Sequence, residues 1–187
     1  MRKINAIIIV LTIFWIFVSC SKSSEEEGRK FAVVSGDQAA VSWYNFNEGS
    51  KLAIEKKKPV VMFFYADWCG WCRKMESEVF ADPEVSRKLR ADYVSVRINT
   101  EKPVSPTVQY KNQTYSHQEF LMMLGVQGLP TVVFMNREGS LITKVPGYIK
   151  KQVFLPLLEY IQNECYSKKI SFDDFMDGKA ACGKKKT

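Results

Sequence analysis

The chain has 187 residues, of which 46% are hydrophobic and 25% are charged, a length that suits one domain with a substantial buried core. Its formal net charge is +7 at pH 7, but the basic residues are not interleaved with aromatic residues as in a nucleic-acid-binding surface, which excludes that class of partner. The positive charge fits a solvated surface with some attraction to anionic lipid.

The N-terminus has the pattern of a secretory signal. Arg2 and Lys3 precede an apolar run over residues 6–18, which is shorter than the roughly 20 residues that a membrane-spanning helix needs. The run ends in FVSC, which resembles a bacterial lipobox, so residues 1–19 are predicted to be a lipoprotein-type signal peptide and Cys20 the lipidated residue. The alternative is an uncleaved N-terminal anchor. Either arrangement places the rest of the chain on the periplasmic or cell-surface side of a bacterial membrane.

A single domain is predicted to follow this signal. Residues 20–39 are predicted to form the lipidated N-terminus and a linker, of which 21–30 are polar and rich in Ser and Glu, and the domain extends over residues 40–164. Its first strand is predicted at 41–46 and its first helix at 48–57. The sequence VVMFFYA at 60–66 is apolar throughout and rich in β-branched and aromatic residues, which predicts a strand buried on both faces.

Helical spacing begins directly after this strand, where Cys72, Met75 and Val79 recur on one face. Asp82 and Pro83 are typical of the cap and the first residue of a further helix. The remaining predicted elements are a strand at 94–98, a surface loop at 101–116, a helix opened by a capping box of Ser116 and Glu119, strands at 131–135 and 140–145, an amphipathic helix that includes Phe154 and Ile161, and a tail at 165–187 with a helical turn at 171–176. Pro156 fits the amphipathic helix only within its first turn.

Cys69 and Cys72 lie at the junction between the buried strand and the helix after it. Unpaired backbone N–H groups and the helix dipole stabilise a thiolate there, so the pKa of the first cysteine falls from about 8.5 toward ~3.5–7.5. Cys69 is therefore the predicted nucleophile, and Cys72, one turn inward, is predicted to resolve the mixed disulfide. The pair is the expected redox centre, with no other cofactor and no metal.

Haem attachment, zinc binding and a purely structural role fit this cysteine pair less well. A c-type haem site requires a histidine after the second cysteine, where this chain has Arg73. A structural zinc site needs four ligands, and only Cys165, Cys182 and the single histidine, His117, remain to complete one. His117 is instead expected to be solvent-exposed and without a role. A purely structural disulfide at 69–72 closes too short a loop to restrain the unfolded chain much. Cys165 and Cys182 form either a structural disulfide or two unrelated buried thiols.

Two sequence segments resemble a known family. KPVVMFFYADWCGWCRKME at 58–76, followed by GLPT at 128–131, resembles the thioredoxin fold, which implies an α/β architecture with a central mixed β-sheet flanked by helices. More narrowly, the chain is similar to the C-terminal domain of the transmembrane thiol:disulfide interchange protein. Its segments GVQGLPTVVFMNREG and PGY are also similar to periplasmic thioredoxin-related proteins, some of them associated with sulfur oxidation. The resemblance covers residues 40–164.

The resemblance implies roles for residues near the cysteines. Pro130 is implied to follow a cis peptide bond, which proline makes accessible, and to pack beside the cysteine pair. Leu129 is implied to contact the substrate, which pairs with the backbone before that proline as an added strand. Trp68 and Trp71 are expected to form an apolar surface that docks partners, although Trp68 equally fits a packing role.

One departure from the family concerns acidic residues. Thioredoxins carry a buried acid six residues before the first cysteine, where this chain has Phe63. The interchange-protein domains have a second acid on the helix, and Glu76 matches it, four residues after Cys72 and on the same helical face. Glu76 is therefore predicted to accept the proton of Cys72. The alternative is an exposed carboxylate that balances Arg73 and Lys74.

We therefore expect a membrane-anchored, extracytoplasmic thiol–disulfide oxidoreductase that acts as a monomer. Its expected substrates are protein disulfides, which it reduces with electrons from an upstream thiol donor, because the motif context resembles that of reductases. Two alternatives remain open. One is a disulfide oxidase or isomerase, and the other is a non-catalytic thioredoxin-like module that binds a client or a metal.

Overall fold

A computed structural model describes residues 40–180 and 182. The predicted signal peptide, the linker and Cys20 lie outside the described residues. In chain order the elements are β1 (Trp43–Tyr44), α1 (Phe46–Lys56), β2 (Val60–Tyr65), α2 (Gly70–Met75) with a π-helical turn (Glu76–Phe80), α3 (Pro83–Asp92), β3 (Val94–Asn99), β4 (Thr107–Tyr110), β5 (Gln113–Ser116), α4 (His117–Met123), β6 (Thr131–Met135), β7 (Leu141–Pro146), α5 (Lys151–Gln162), a 3₁₀ turn (Cys165–Lys168) and α6 (Phe172–Met176). Within this described part, no helix is both long enough and apolar enough to cross a membrane.

Five strands form a mixed sheet in the order β1-β3-β2-β6-β7. The central strand β2 runs parallel to β3 and antiparallel to β6. At the edges, β1 is parallel to β3 and β7 is antiparallel to β6. The predicted α/β architecture with a central mixed sheet flanked by helices is confirmed.

The side chains of β2 alternate between two hydrophobic cores. Val61 and Phe63 belong to the core that α2, α3 and α5 cover, and Met62 and Phe64 belong to the core that α1 and α4 cover. All four side chains are fully buried. The predicted burial of this strand on both faces is confirmed. Packing on both faces fixes the position of the end of β2, where the loop that carries the cysteines begins.

Two predicted helix starts are confirmed by side-chain caps. The Asp82 carboxylate accepts hydrogen bonds from the backbone N–H groups of Glu84 and Val85, at 3.0 and 3.3 Å, with Pro83 as the first residue of α3. Ser116 and Glu119 form the predicted reciprocal capping box at the start of α4. Such caps satisfy N–H groups that have no partner inside the helix.

The predicted first strand at 41–46 is wrong in its extent. It is reduced to Trp43–Tyr44, and α1 begins at Phe46 because the Asn45 side chain accepts a hydrogen bond from the Glu48 N–H at 2.9 Å. An asparagine in this position ends the strand, since it favours capping the helix that follows.

The predicted surface loop at 101–116 is wrong in its second half, which forms the hairpin β4–β5. Lys111 and Asn112 at its tip both have positive φ, 49° and 62°, as a two-residue turn of type I′ requires. The prolines at 103 and 106 precede this hairpin, so they do not interrupt it.

The predicted exposure of His117 is also wrong. Only 9% of His117 is exposed, and burial lowers the pKa of its imidazole. The β4–β5 hairpin packs against α4, and Val108 of β4 lines the same small cavity as His117. The hairpin that forms where a loop was predicted therefore contributes to the burial of His117.

Pro156 lies at the sixth position of α5, beyond the first turn to which the prediction confined it. A proline there cannot donate a helical hydrogen bond to the carbonyl oxygen of Gln152. Gln152 itself is an exposed residue.

The described part of the C-terminal tail packs against the domain. Cys165 is joined to Cys182 by a disulfide, with the Cα atoms 5.5 Å apart. The ring centroid of Tyr160 in α5 lies 5.4 Å from that of Phe172 and 5.6 Å from that of Phe175. The disulfide is the first of the two arrangements that the sequence left open, and the predicted helical turn in the tail is confirmed as α6.

Candidate active site

The first two site residues, Cys69 and Cys72, are joined by a disulfide, and their Cα atoms are 5.2 Å apart. Cys69 is the N-cap residue of α2, and its sulfur accepts a hydrogen bond from the backbone N–H of Cys72 at 3.1 Å. Only 3% of Cys69 and 1% of Cys72 is exposed. The backbone therefore directs a donor at the sulfur of Cys69, which stabilises negative charge on that atom.

The Leu129–Pro130 peptide bond is cis, as the resemblance implied. Pro130 immediately precedes β6, whose residue Thr131 pairs with Phe64 of β2, so the proline lies at the end of the sheet from which the cysteine loop emerges. Its carbonyl oxygen accepts a hydrogen bond from the Gly147 N–H at 2.8 Å. Leu129 is partly buried and packs against the core that contains both cysteines.

Trp68 stands on one side of the pair, with 66% of its surface exposed. Its indole N–H donates to the carboxylate of Glu101 at 2.6 Å. Glu101 follows β3, and its own backbone N–H donates to the Asn99 side chain at 3.0 Å. The loop after β3 thus holds Trp68 in place while leaving the ring accessible to a partner.

The same loop holds the residue before Trp68. The Asp67 carboxylate accepts hydrogen bonds from Lys102 at 2.6 Å and from Asn99 at 2.9 Å. The hydrogen bond from Lys102 is the largest effect that lowers the pKa of Asp67. Asn99, at the end of β3, therefore bonds Asp67 directly and is connected to Trp68 through Glu101.

Trp71, between the two cysteines in sequence, is 58% exposed and belongs to an aromatic cluster. Its ring centroid lies 5.7 Å from that of Tyr148, and the Lys74 ammonium lies 5.1 Å from the Trp71 ring and 5.5 Å from the Tyr148 ring. The Tyr148 hydroxyl donates to Glu78 at 2.6 Å, which raises the pKa of that hydroxyl. Tyr148 thereby connects the loop after β7 to the cysteine-bearing helix.

Glu76 begins the π-helical turn, one turn after Cys72, and its backbone N–H donates to the Cys72 carbonyl oxygen. Its carboxylate forms an ion pair with Arg97 of β3, at 2.6 Å. The alternative in which Glu76 balances Arg73 and Lys74 is wrong. Arg73 donates to the Asp67 carbonyl oxygen at 2.6 Å, and Lys74 lies 3.9 Å from the carboxylate of Glu78.

Phe63, which stands where the family has an acid, is fully buried. Its ring centroid lies 5.8 Å from that of Tyr65 and 4.8 Å from that of Phe80. Arg97, its partner in register on β3, lies with its guanidinium 4.1 Å from the centre of the Tyr65 ring. Phe63 therefore makes the interior at this position apolar, and the ion pair of Glu76 and Arg97 is about one-third exposed.

Among the described residues, no three histidine, cysteine or acidic side chains are grouped so that they could hold a metal ion. Cys165 and Cys182, the remaining candidates for a zinc site, are joined to each other.

Residues 46–162 match the family model described as a thioredoxin-like domain. The chain belongs to this family. Thiol:disulfide interchange protein DsbD of Yersinia enterocolitica is 33% identical over 114 residues, which cover 60% of this chain and 17% of that protein. DsbD of Salmonella typhimurium is 38% identical over 89 residues, 48% of this chain and 14% of that protein. The match therefore spans less than a fifth of these relatives.

Solved structures show the same fold. A thioredoxin from Thermus thermophilus superposes with a TM-score of 0.54 at 25% identity, covering 66% of this chain and 88% of that one. A thioredoxin-fold protein from Helicobacter pylori gives 0.57 at 20% identity, covering 77% and 89%. The predicted likeness to the interchange protein is confirmed, and the likeness to sulfur-oxidation-associated proteins stays a prediction. The chain contains a thioredoxin-like domain.

The thioredoxin-like domain brings the predicted site residues Cys69, Cys72, Trp68 and Trp71 together at one end of its sheet. Sequence reasoning missed the residues that hold them there, which are Asp67, Asn99, Glu101, Lys102, Arg97, Glu78 and Tyr148. An asparagine at the end of a predicted strand is a common capping residue, which was a usable signal for Asn99. The acceptor of the Trp68 indole had no comparable local signal, since Glu101 is 33 residues away in sequence.

Replacing Glu101 with alanine should release the Trp68 indole. We expect its N–H to exchange with water about two- to tenfold faster, because an intramolecular hydrogen bond of an exposed side chain, worth ~0.5–1.5 kcal/mol, is lost. The exchange rate is measured on the indole resonance by NMR, with Trp68→Phe to assign it. Glu101→Gln retains an acceptor and should change the rate less, and Glu55→Ala removes an exposed carboxylate of α1 as a control. An unchanged rate in Glu101→Ala would show that this hydrogen bond does not hold Trp68.

Proposed function

We propose that this chain is an extracytoplasmic, membrane-anchored enzyme that reduces protein disulfides through Cys69 and Cys72. The observation that carries the proposal is the hydrogen bond from the Cys72 N–H to the sulfur of Cys69 at the start of α2. It distinguishes the two sulfurs chemically. Membership of the thioredoxin-like family and the similarity to thiol:disulfide interchange proteins support exchange between protein thiols and disulfides.

The reaction begins from the reduced pair. The Cys69 thiolate attacks one sulfur of a client disulfide, and the other client sulfur leaves as a thiolate that takes up a proton. The Cys72 thiol then loses its proton and attacks the sulfur of Cys69. This step releases the second client thiol and forms the Cys69–Cys72 disulfide. Two electrons pass to the client, so an upstream thiol donor must reduce the pair again.

We assign the two steps to different cysteines. Cys69 lies at the start of the helix between the exposed rings of Trp68 and Trp71, where a client sulfur can approach. Both cysteines are buried, Cys69 at 3% and Cys72 at 1% exposed, and the proposed target of Cys72 is the neighbouring sulfur of Cys69. In this proposal the two rings dock the client, and the backbone at Leu129 pairs with it as an added strand.

The reductive direction rests on the resemblance of the motif to reductases. A measured reduction potential near the ~−270 mV of thioredoxin supports it, whereas a potential near ~−120 mV makes the protein an oxidant. An isomerase would also rearrange scrambled disulfides without net reduction. Thiols that react with no client disulfide would favour the non-catalytic binding module.

The two cysteines should differ when one is replaced. Cys72→Ser removes the resolving thiol while Cys69 still attacks, so mixed disulfides with client proteins should accumulate. Cys69→Ser removes the nucleophile and should give none. Non-reducing gels of the two variants, with the double variant as control, measure the trapped species. Equal trapping by both single variants would contradict the assignment of Cys69 as nucleophile.

Glu76 is proposed to accept the proton of Cys72 in the resolving step. Burial disfavours the Cys72 thiolate, and Phe63 leaves no acid at the usual position on β2. A general base typically contributes ~10²–10⁴-fold, so Glu76→Gln should slow resolution near pH 7 and leave the initial attack by Cys69 little changed. The deficit should shrink at higher pH, where Cys72 ionises unaided.

Stopped-flow reduction of a model disulfide from pH 6 to 9 separates the two steps. Glu55→Gln, which neutralises an exposed carboxylate on α1, is the matched control. Overlapping pH–rate curves for Glu76→Gln and the unmodified protein would show that Glu76 does not accept the proton and only forms the ion pair with Arg97.

The membrane anchor is proposed at Cys20, on the sequence pattern of residues 1–19. Cys20→Ser should abolish lipid labelling, and any cleaved product should become soluble. One acyl chain binds membranes only marginally, so stable anchoring needs the several chains of a bacterial lipoprotein. Membrane retention of Cys20→Ser with an uncleaved N-terminus would favour the N-terminal anchor instead.

A further inference from the structure

An open cleft of ≈ 320 Å³ lies beside the Trp71 ring. Three of its lining side chains are cationic, and one is anionic. Its lining, here named the lysine cleft, consists of Lys74, Glu78, Tyr148, Lys150, Lys151 and Gln152.

The charges in the lysine cleft are unequally compensated. Lys151 pairs with Asp82 at 2.8 Å and with Glu84 at 3.2 Å, so its charge is matched by acids. Lys74 lies 3.9 Å from Glu78, the acid in the lining. Lys150 is exposed and forms no ion pair with any residue that the structure describes. Lys151 thus has two acid partners, whereas Lys150 is the lysine of the lining whose ammonium group has no acid partner among the described residues.

The lysine cleft is continuous with the candidate active site. Tyr148 lines the cleft and also contacts the Trp71 ring, and Lys74 lies close to both rings. The residue before Tyr148, Gly147, donates its N–H to the carbonyl oxygen of Pro130. A client segment that pairs beside Pro130 therefore lies near the lysine cleft. Client side chains close in sequence to the client cysteine can extend into the cleft.

The opposite side of the pair differs in charge. The group in contact with the Trp68 ring nitrogen is the carboxylate of Glu101, whereas the group in contact with the Trp71 ring is the ammonium of Lys74. A client that crosses the site from one tryptophan to the other therefore passes from an anionic contact to a cationic one.

We infer that the lysine cleft binds an acidic side chain of the client, close in sequence to the cysteine under attack, and so selects among clients. The inference rests on the proposed function, because it concerns which disulfides react fastest at the same site. A client carboxylate in the cleft forms a solvent-exposed ion pair with Lys150. Such a pair changes a rate constant by about two- to fivefold and is weakened by salt.

The test compares synthetic peptides that carry one cysteine linked through a disulfide to the uncharged chromophore 2-thiopyridine. Glu, Gln or Lys is placed at each of three positions on either side of the cysteine. The full-length protein is reduced first, and release of the chromophore gives the second-order rate constant of each peptide. One turnover converts the protein dithiol to its disulfide and yields the peptide thiol and the chromophore thiol.

We expect the Glu peptide to react about two- to fivefold faster than the Gln peptide on one side of the cysteine only, and the Lys peptide to react more slowly. Lys150→Gln should bring the Glu and Gln rates together. Lys111→Gln, at the tip of the β4–β5 hairpin, should leave the preference intact. High salt should erase the preference in the unmodified protein.

Two results would overturn the inference while leaving the proposed function standing. One is equal rates for Glu and Gln peptides at every position, and the other is a preference that survives Lys150→Gln. If none of the peptides reacts with the reduced protein, the proposed function itself fails and the inference fails with it.

Discussion

The hydrogen bond from the Cys72 N–H to the Cys69 sulfur is the interaction on which the rest of the site depends. It exists because Cys69 caps α2, and Cys69 caps α2 because β2 ends four residues earlier at a fixed place. Two separate cores bury β2, one on each face, so the strand end cannot shift without disrupting both. The chemical difference between the sulfurs is thus a consequence of core packing, and it needs no charged residue beside them.

The location of charge around the cysteines follows from the same packing. Phe63 fills the interior with an aromatic ring, where an acid would have to be buried at a cost in desolvation. The ion pair between Glu76 and Arg97 lies instead at the rim, with about a third of each side chain exposed. It connects the cysteine-bearing helix to β3. The Glu76 carboxylate therefore lies on the helix that carries the cysteines without being buried in the apolar core.

Features encoded within a few residues of each other were predictable. The buried strand, the cysteine-capped helix, the cap at Asp82 and the capping box at Ser116 each depend on a local pattern. The end of β1 was predicted wrongly because the Asn45 cap outweighed a weak strand pattern. The β4–β5 hairpin was missed because its two-residue turn lies in a segment whose composition is typical of a loop. The side-chain contacts around the cysteine pair could not be predicted from local patterns, because they join residues far apart in sequence. Trp68 and Glu101 are 33 residues apart, and Glu78 and Tyr148 are 70 residues apart.

The two disulfides show why burial alone does not identify a redox centre. Cys165 and Cys182 are 0% and 7% exposed, much like the pair at 69–72, yet their loop spans 17 residues rather than three. A loop of that length restrains the unfolded chain by about 3 kcal/mol in the chain-entropy account, whereas a three-residue loop restrains it little. The disulfide at 165–182 therefore has a stabilising role that the disulfide at 69–72 lacks. The pair at 69–72 has a backbone donor directed at the sulfur of Cys69, and in the proposed function this donor stabilises the attacking thiolate.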